Sequence, residues 1–419
     1  MPAERADGVV IIGDLHMSSG DRYECFREDD ALARFLEHVG TRAAAEGQHL
    51  LILGDLIDFL NVRSAEGQRR DADTSAASAV AKLERVAAEH ATAFRALGVL
   101  ATAGCPISIV LGNHDIELAH EAAQQRFVEL VVRASGRREA SERISFQPWI
   151  FHLPGVLYAE HGSQYHDLNA FPAIAAPHAA SRGSIELPLG SHVTRFLIDL
   201  AESIDPGGTM RPDVRALLAA CRARPALVAR TLGAHARFSR ALVAHSVRSW
   251  QPRRRAARTA YREHVLRSYA DAAGLAFETL VALDELAALS PLAVERRALR
   301  ALASRPAAGA PAELRRAAHA VHALLEAQGT SVPVCAFGHT HRAEQLQLDE
   351  GHQYVNCGTW SSLLPRALEP LGDAARFTFI DVTADDGSGR ATARLLRWND
   401  AEERAEPYVP LAATDLSGV

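Results

Sequence analysis

Five times along this chain a short apolar run ends in a glycine flanked by acid, amide or imidazole side chains. The five read Gly13-Asp14-Leu15-His16, Gly54-Asp55-Leu56-Ile57-Asp58, Gly112-Asn113-His114-Asp115, Glu160-His161-Gly162 and Gly338-His339-Thr340-His341. Glycine lets the backbone turn sharply out of a strand, so each motif can carry its polar groups to the place where the strand ends. The runs Val9–Ile12, Leu50–Leu53 and Ile107–Leu111, bounded by Gly and Asp, read as buried strands, while Ala31–Glu46 and Ala77–Ala103 show the longer apolar spacing of helices. Strands alternating with helices imply an α/β fold with a parallel or mixed sheet covered by helices. Its chemistry then belongs just beyond the carboxyl ends of the strands.

The donor types in the motifs point to a metal. Carboxylate, amide oxygen and imidazole together suit Mn, Fe, Zn or a related divalent ion. Asp14, His16, Asp55, Asn113, His161, His339 and His341 supply seven ligands. Seven are too many for one tetrahedral site and enough for two ions if one carboxylate bridges, with Asp55 the natural bridge. Two cations about 3.5–4 Å apart can share a water, lower its pKa towards neutrality and clamp the oxygens of an in-line displacement at phosphorus. The chemistry expected is metal-assisted phosphoester hydrolysis.

This ordered set resembles the calcineurin-like metallophosphoesterase family over all five of its motifs, across about 9–163 and 331–396. The resemblance implies a four-layer α/β/β/α sandwich of two mixed sheets and a pair of divalent ions, manganese first, with Fe, Zn, Ni or Co as substitutes. It also implies that Asp14, His16, Asp55 and His341 hold one ion and Asp55, Asn113, His161 and His339 the other. His114 would contact the substrate phosphate and protonate the leaving oxygen, with Asp115 orienting it. An imidazole suits that task because both its protonation states are accessible near neutral pH. The substrate implied is an anionic phosphomonoester or phosphodiester. A closer similarity, in Asp14-Leu15-His16 and Gly338-His339-Thr340-His341-Arg342, is to the branch of UDP-2,3-diacylglucosamine hydrolases, which would make the substrate a lipid-linked nucleotide pyrophosphate. Those enzymes generally carry arginine where this chain has His114.

Residues from about 170 to 330 have no counterpart in that resemblance. The stretch is helical in pattern and rich in alanine and arginine, with 22 arginines against 13 acidic residues, a local charge of +9. The whole chain of 419 residues carries −6, so the remainder carries −15. The reading is a phosphoesterase core in two parts, 1–169 and 331–419, split by a helical arginine-rich cap at 170–330 that lies over the strand ends. In the second part Val334–Phe337, Gln345–Leu348, Tyr354–Asn356, Phe377–Val382 and Thr392–Leu396 read as strands, with a turn at Asp385–Gly389. The densest basic cluster, Trp250 with Arg253, Arg254, Arg255, Arg258, Arg262 and Arg267, can attract an anionic substrate or an acidic membrane surface. Nucleic acid is a weaker fit, because no regular interleaving of aromatic and basic residues accompanies the cluster. A non-catalytic platform that docks a partner through this insertion is the competing class of function, and nothing in the sequence bears on oligomeric state.

Five scattered cysteines without CxxC spacing imply a reducing compartment with no disulfide framework and no cysteine zinc site. The first residues lack the pattern of a secretory signal, and no uncharged apolar run reaches the length of a membrane span. The expected location is cytoplasmic, with the insertion available for peripheral contact with a membrane. Among the remaining side chains, Asp58 reads as a partner of a ligand histidine, Cys357 as a small buried residue beside the site, and Arg342 as either a phosphate contact or a surface ion pair. His166 and Asp167 stand close enough after His161 to reach substrate. His38, His49, His90, His120, His235, His245, His319 and His322 sit on helical or loop patterns without partners at ligand spacing, as surface or capping residues.

Overall fold

The computed structural model describes residues 7–20, 24–62, 73–166, 168–171, 174–175, 177, 183–192, 194–195, 233, 236, 252–287, 310–364, 369–370, 375–384 and 390–408. The expected turn at Asp385–Gly389, together with Asp167, His235, His245, Trp250 and the side chains of Arg253–Arg255, Arg258 and Arg262, lies outside the described residues.

The first strand, β1 (Gly8–Ile12), shows how the layers arise. All five of its residues are buried, and successive side chains point to opposite faces. Val10 and Ile12 join the cluster formed with the helices, whereas Val9 and Ile11 join a second apolar cluster with residues of another sheet. A run that is apolar on both faces must therefore lie between two layers. The next helix, α1 (Asp29–Glu46), buries Leu32, Phe35, Leu36, Val39 and Ala43 on one face, a helical spacing, and ends at Gly47 in the left-handed conformation. After β2 (Gln48–Leu53) the pattern expected as one helix over 77–103 divides into α2 (Ala76–Glu89) and α3 (Ala91–Thr102). The break falls at His90, whose ring hydrogen-bonds to Asp29 instead of facing solvent. Then follow β3 (Ile107–Val110), α4 (Glu121–Ser135) and β4 (Ile144–Gln147).

The second sheet opens with β5 (Ile150–Leu153) and β6 (Leu157–Glu160). After the long insertion it continues with β7 (Val334–Phe337), β8 (Glu344–Asp349) and β9 (His352–Asn356), in the order β5-β6-β7-β9-β8. A two-residue pair, β10 (Leu363–Leu364) and β11 (Glu369–Pro370), stands apart. The chain then returns to the first sheet with β12 (Thr378–Thr383), β13 (Thr392–Asn399) and β14 (Arg404–Pro407), giving the seven-stranded order β14-β13-β12-β1-β2-β3-β4. Strands β1 to β4 are parallel and β12 pairs antiparallel with β1, so this sheet is mixed; β6, β7 and β9 are parallel within an otherwise antiparallel second sheet. The two sheets face each other through Val9, Leu51, Leu53, Ala159, Val334, Ala336, Ile380 and Val382. The fold is the expected sandwich of two mixed sheets and helices.

The helical stretch, expected as a cap over the strand ends, packs against the outer face of the second sheet. Its described part comprises α5 (Pro252–Ala273), α6 (Phe277–Ala287) and α7 (Ala310–Ala327). On β6, β7 and β9 the residues Tyr158, Cys335, Phe337 and Tyr354 point away from the first sheet and are buried, in one cluster with Leu266, Leu280, Leu314 and Val321 of these helices. Tyr269 of α5 fixes the contact, since its hydroxyl accepts a hydrogen bond from the Ile150 N–H at 2.7 Å and donates one to the Ile150 carbonyl at 2.5 Å. Apolar residues on the outer face of the second sheet need cover, and α5 to α7 supply it. Among the described residues, no helix is long and apolar enough to cross a membrane.

Candidate metal centre

Each of the five motifs follows a strand: Asp14 and His16 follow β1, Asp55 follows β2, Asn113 follows β3, His161 follows β6, and His339 and His341 follow β7. Strands β1 to β3 run parallel in one sheet and β6 and β7 in the other. The motifs accordingly meet at one end of the sandwich. Asp14, His16, Asp55, His339 and His341 all have positive φ, between 52° and 69°, and they are five of the seven such non-glycine residues among those described. The left-handed conformation costs a non-glycine residue on the order of 1 kcal/mol and persists where the surroundings impose it, typically at a functional site. Glycine is needed alongside for space: a Cβ on Gly112 would stand 2.2 Å from Asp55 Oδ1, and one on Gly54, at φ 83°, would stand 2.4 Å from His161 Nδ1.

All seven expected ligands come together, and all are buried. On one side His16 Nε2 and His341 Nε2 are 2.9 Å apart, with Asp14 Oδ1 at 3.9 Å and 3.3 Å from them. On the other, His161 Nε2 is 3.2 Å from Asn113 Oδ1. Asp55 stands between the two groups, its Oδ2 lying 3.5 Å from His16 Nε2 and 3.3 Å from His161 Nε2. Asp14, His16 and His341 form one potential metal-holding group, and Asp55, His161 and His339 another.

Several contacts aim these donors. The other oxygen of Asp14 accepts the His339 N–H at 2.9 Å, and the Asp14 carbonyl accepts the Thr359 hydroxyl at 2.7 Å. Asp55 Oδ1 accepts the His114 N–H at 2.8 Å, which leaves Oδ2 to the imidazoles. His161 Nδ1 lies 2.9 Å from the Leu53 carbonyl, the partner that fixes the tautomer with Nε2 as the free donor. Asp14 Oδ1 is buried without a hydrogen bond of good geometry. An orphan carboxylate oxygen facing two imidazole nitrogens at near contact is a donor set that a cation fits.

The electrostatics suit the same role. Burial works to raise the Asp14 and Asp55 carboxyls, but the neighbouring imidazoles overcome it and hold both below the usual carboxylate range, so both are ionised at neutral pH. Burial, reinforced by the neighbouring imidazoles, lowers His16 and His339, favouring the neutral ring that a metal requires.

The expected partner of His114 is corrected. Asp115 does not orient it: Asp115 accepts the Gly112 N–H at 2.6 Å and the Leu56 N–H at 2.8 Å, bracing the loop, while burial and the charge of Asp55 push its carboxyl up to about 7. Asp58 takes the place, with Oδ1 2.8 Å from His114 Nδ1. A carboxylate one residue on in sequence turns back into its own loop, whereas Asp58 arrives from the strand beside it. Burial would lower His114, yet the carboxylates of Asp58 and Asp55 raise it to about 9.

Two residues beyond the motifs also reach the centre. His166 Nδ1 lies 3.0 Å and Asn169 Nδ2 3.3 Å from His339 Nε2. In the sequence His166 stands out only for its nearness to His161, and Asn169 carries no signal. Cys357 is fully buried behind Gly13, its Sγ 3.1 Å from where a Cβ there would sit, and burial pushes its thiol far up, leaving it inert. Arg342 is exposed.

Residues 8–182 match the family model described as calcineurin-like phosphoesterase. Over these residues the chain is similar to the calcineurin-like phosphoesterases. Metal-dependent hydrolysis of phosphoric esters is the chemistry that goes with it. No curated protein matches the chain. Among solved structures, a dimetal phosphatase from Danio rerio matches at 12% identity over 97% of this chain and 98% of that chain, with a TM-score of 0.34.

Proposed function

We propose that the phosphoesterase uses two divalent ions, held by Asp14, His16, Asp55 and His341 and by Asp55, Asn113, His161 and His339, to hydrolyse a phosphomonoester or phosphodiester. The observation that carries this reading is Asp55 Oδ2, placed 3.5 Å and 3.3 Å from imidazoles of the two groups as a bridging carboxylate would be. When bound, the ion pair supplies a water activated near neutral pH and a clamp on the phosphoryl oxygens. Three oxygen and four imidazole donors accept Mn, Fe or Zn, and Mn is the ion proposed.

The residues of the chain divide the remaining work. Asp58 holds Nδ1 of His114, so Nε2 is the nitrogen that meets the substrate. With the Asp58 carboxylate favouring the protonated ring, His114 gives a proton from Nε2 to the leaving oxygen as the ester P–O bond breaks. The −15 outside the 170–330 stretch is partly offset by bound cations, and the +9 within it draws an anionic ester towards the protein.

Metal analysis of the Mn-loaded protein should find about two ions per chain. Asp55→Ala should abolish turnover of a chromogenic phosphodiester, and His114→Ala should lower kcat roughly 10²- to 10⁴-fold. Undiminished activity in Asp55→Ala would sink the assignment.

A further inference from the structure

A second group of metal-type donors stands at the opposite end of the second sheet. His322 and Glu326 lie one turn apart on α7, a spacing that puts both on one face. Facing them is the tight turn between β8 and β9, which carries Asp349 and His352. The pairing register shifts between Gln347 and Asp349, and Gly351 follows at φ 100°. That irregularity re-aims the turn towards the helix. The catalytic motifs follow the carboxyl end of β7, parallel to β9, whereas His352 begins β9.

The geometry is convergent. Asp349 gives its two oxygens to different rings, Oδ2 at 2.7 Å from His322 Nε2 and Oδ1 at 2.5 Å from His352 Nδ1. The two imidazoles lie 4.2 Å apart between centroids. His352 Nε2 is 3.6 Å from Glu326 Oε1 and 3.4 Å from Ser331 Oγ. One ligand atom each from His322, Glu326 and His352 falls within 4.8 Å of the others. His322 is nearly buried while Asp349 and Glu326 are exposed, so the group is anchored on the protein side and open to water on the other. No partner of His322 is visible in the sequence, because its partners come from a hairpin folded against the helix.

We propose that His322, His352, Asp349 and Glu326 form a separate binding site for a late first-row transition ion, with Zn²⁺ as the representative. Two imidazoles select Zn, Ni or Cu over Mg and Ca. Two carboxylates balance a divalent charge, and water completes the coordination. The ion staples the far end of α7 to the β8–β9 turn. At its near end the same helix lays Leu314 against Gly162, beside His161, where a Cβ would be 3.0 Å from it. The staple thus fixes the layer that backs the catalytic end without touching it.

The test uses the full chain equilibrated with Zn²⁺ and freed of unbound metal. The double variant His322→Gln, His352→Gln should hold one zinc fewer per chain than the parent, and Zn²⁺ should raise the parent's unfolding temperature more than the variant's. Each single variant should weaken that zinc at least about tenfold, since losing even a partner of a ligand does as much. Phosphoester turnover by the double variant with Mn²⁺ should match the parent's. The same one-zinc difference should persist in an Asp55→Ala background, which separates this site from the catalytic reading. Equal zinc content in parent and double variant overturns the proposal.

Discussion

Two aspartates a few ångströms from Asp55 do different jobs, and substitution separates them. Asp58 touches the site only through His114 Nδ1, while Asp115 touches backbone only, at Gly112 and Leu56. Asp58→Asn keeps the shape and removes the charge that aims the imidazole, so kcat should fall about ten- to a hundredfold with KM and unfolding midpoint near the parent's. Asp115→Ala leaves two buried N–H groups unpaired at about 1–3 kcal/mol each, and should show first as a lower midpoint in urea denaturation. The seven donors could be seen in the sequence because each stands within three residues of a glycine at the end of an apolar run. The identity of the partner to His114 could not, because Asp58 is 56 residues away and meets it only through the pairing of β2 with β3.

At the scale of elements, α2 is tied at its middle and at its C-terminal end to loops that carry the site. The chain's single lysine, Lys82, is buried against Glu117 at 2.9 Å, in the turn that follows His114. Lys82→Met alone strands a buried carboxylate and should cost about 3–5 kcal/mol, whereas Lys82→Met with Glu117→Leu should recover most of it, as read by urea denaturation. His90, where α2 gives way to α3, hydrogen-bonds Asp29 at 3.0 Å and lies 3.5 Å from Glu24, which braces the loop after His16 by accepting the N–H groups of Ser18, Gly20 and Phe26. Burial would lower this imidazole, but the two carboxylates raise it to about 9. A raised histidine contributes stability that is complete below its free value of 6.5 and is lost as the pH climbs through about 9. That contribution is bounded at about 3 kcal/mol. His90→Gln should therefore lower the unfolding temperature at neutral pH and flatten its decline across that alkaline window; a decline as steep as the parent's would contradict it. One apolar spacing over 77–103 gave no hint of the break, because charge on neighbouring elements, not periodicity, turns His90 inward.

For the molecule as a whole, the division of labour between core and insertion is less clean than the charge pattern suggested. Strand positions were readable where runs were short, apolar and bounded by glycine, as at β1 to β3 and at Val334–Phe337. The role of α5 to α7 was not, because their arginine and alanine content resembles a solvated appendage and their apolar residues have meaning only once the outer face of the second sheet exists. Tyr269 is the point where this can be tested. Its hydroxyl satisfies both backbone groups of Ile150 on β5, the edge strand of that sheet. Tyr269→Phe keeps the ring and its apolar burial but orphans a buried N–H and C=O, which should cost about 1–3 kcal/mol. If the helices were a dispensable cap, the loss would loosen them alone and leave amides of β5 and β6 protected. As the fourth layer of the sandwich, they should carry the second sheet with them, so hydrogen exchange in Tyr269→Phe should speed up at β5 and β6 together with α5, while β1 and β2 in the other sheet keep the parent's protection.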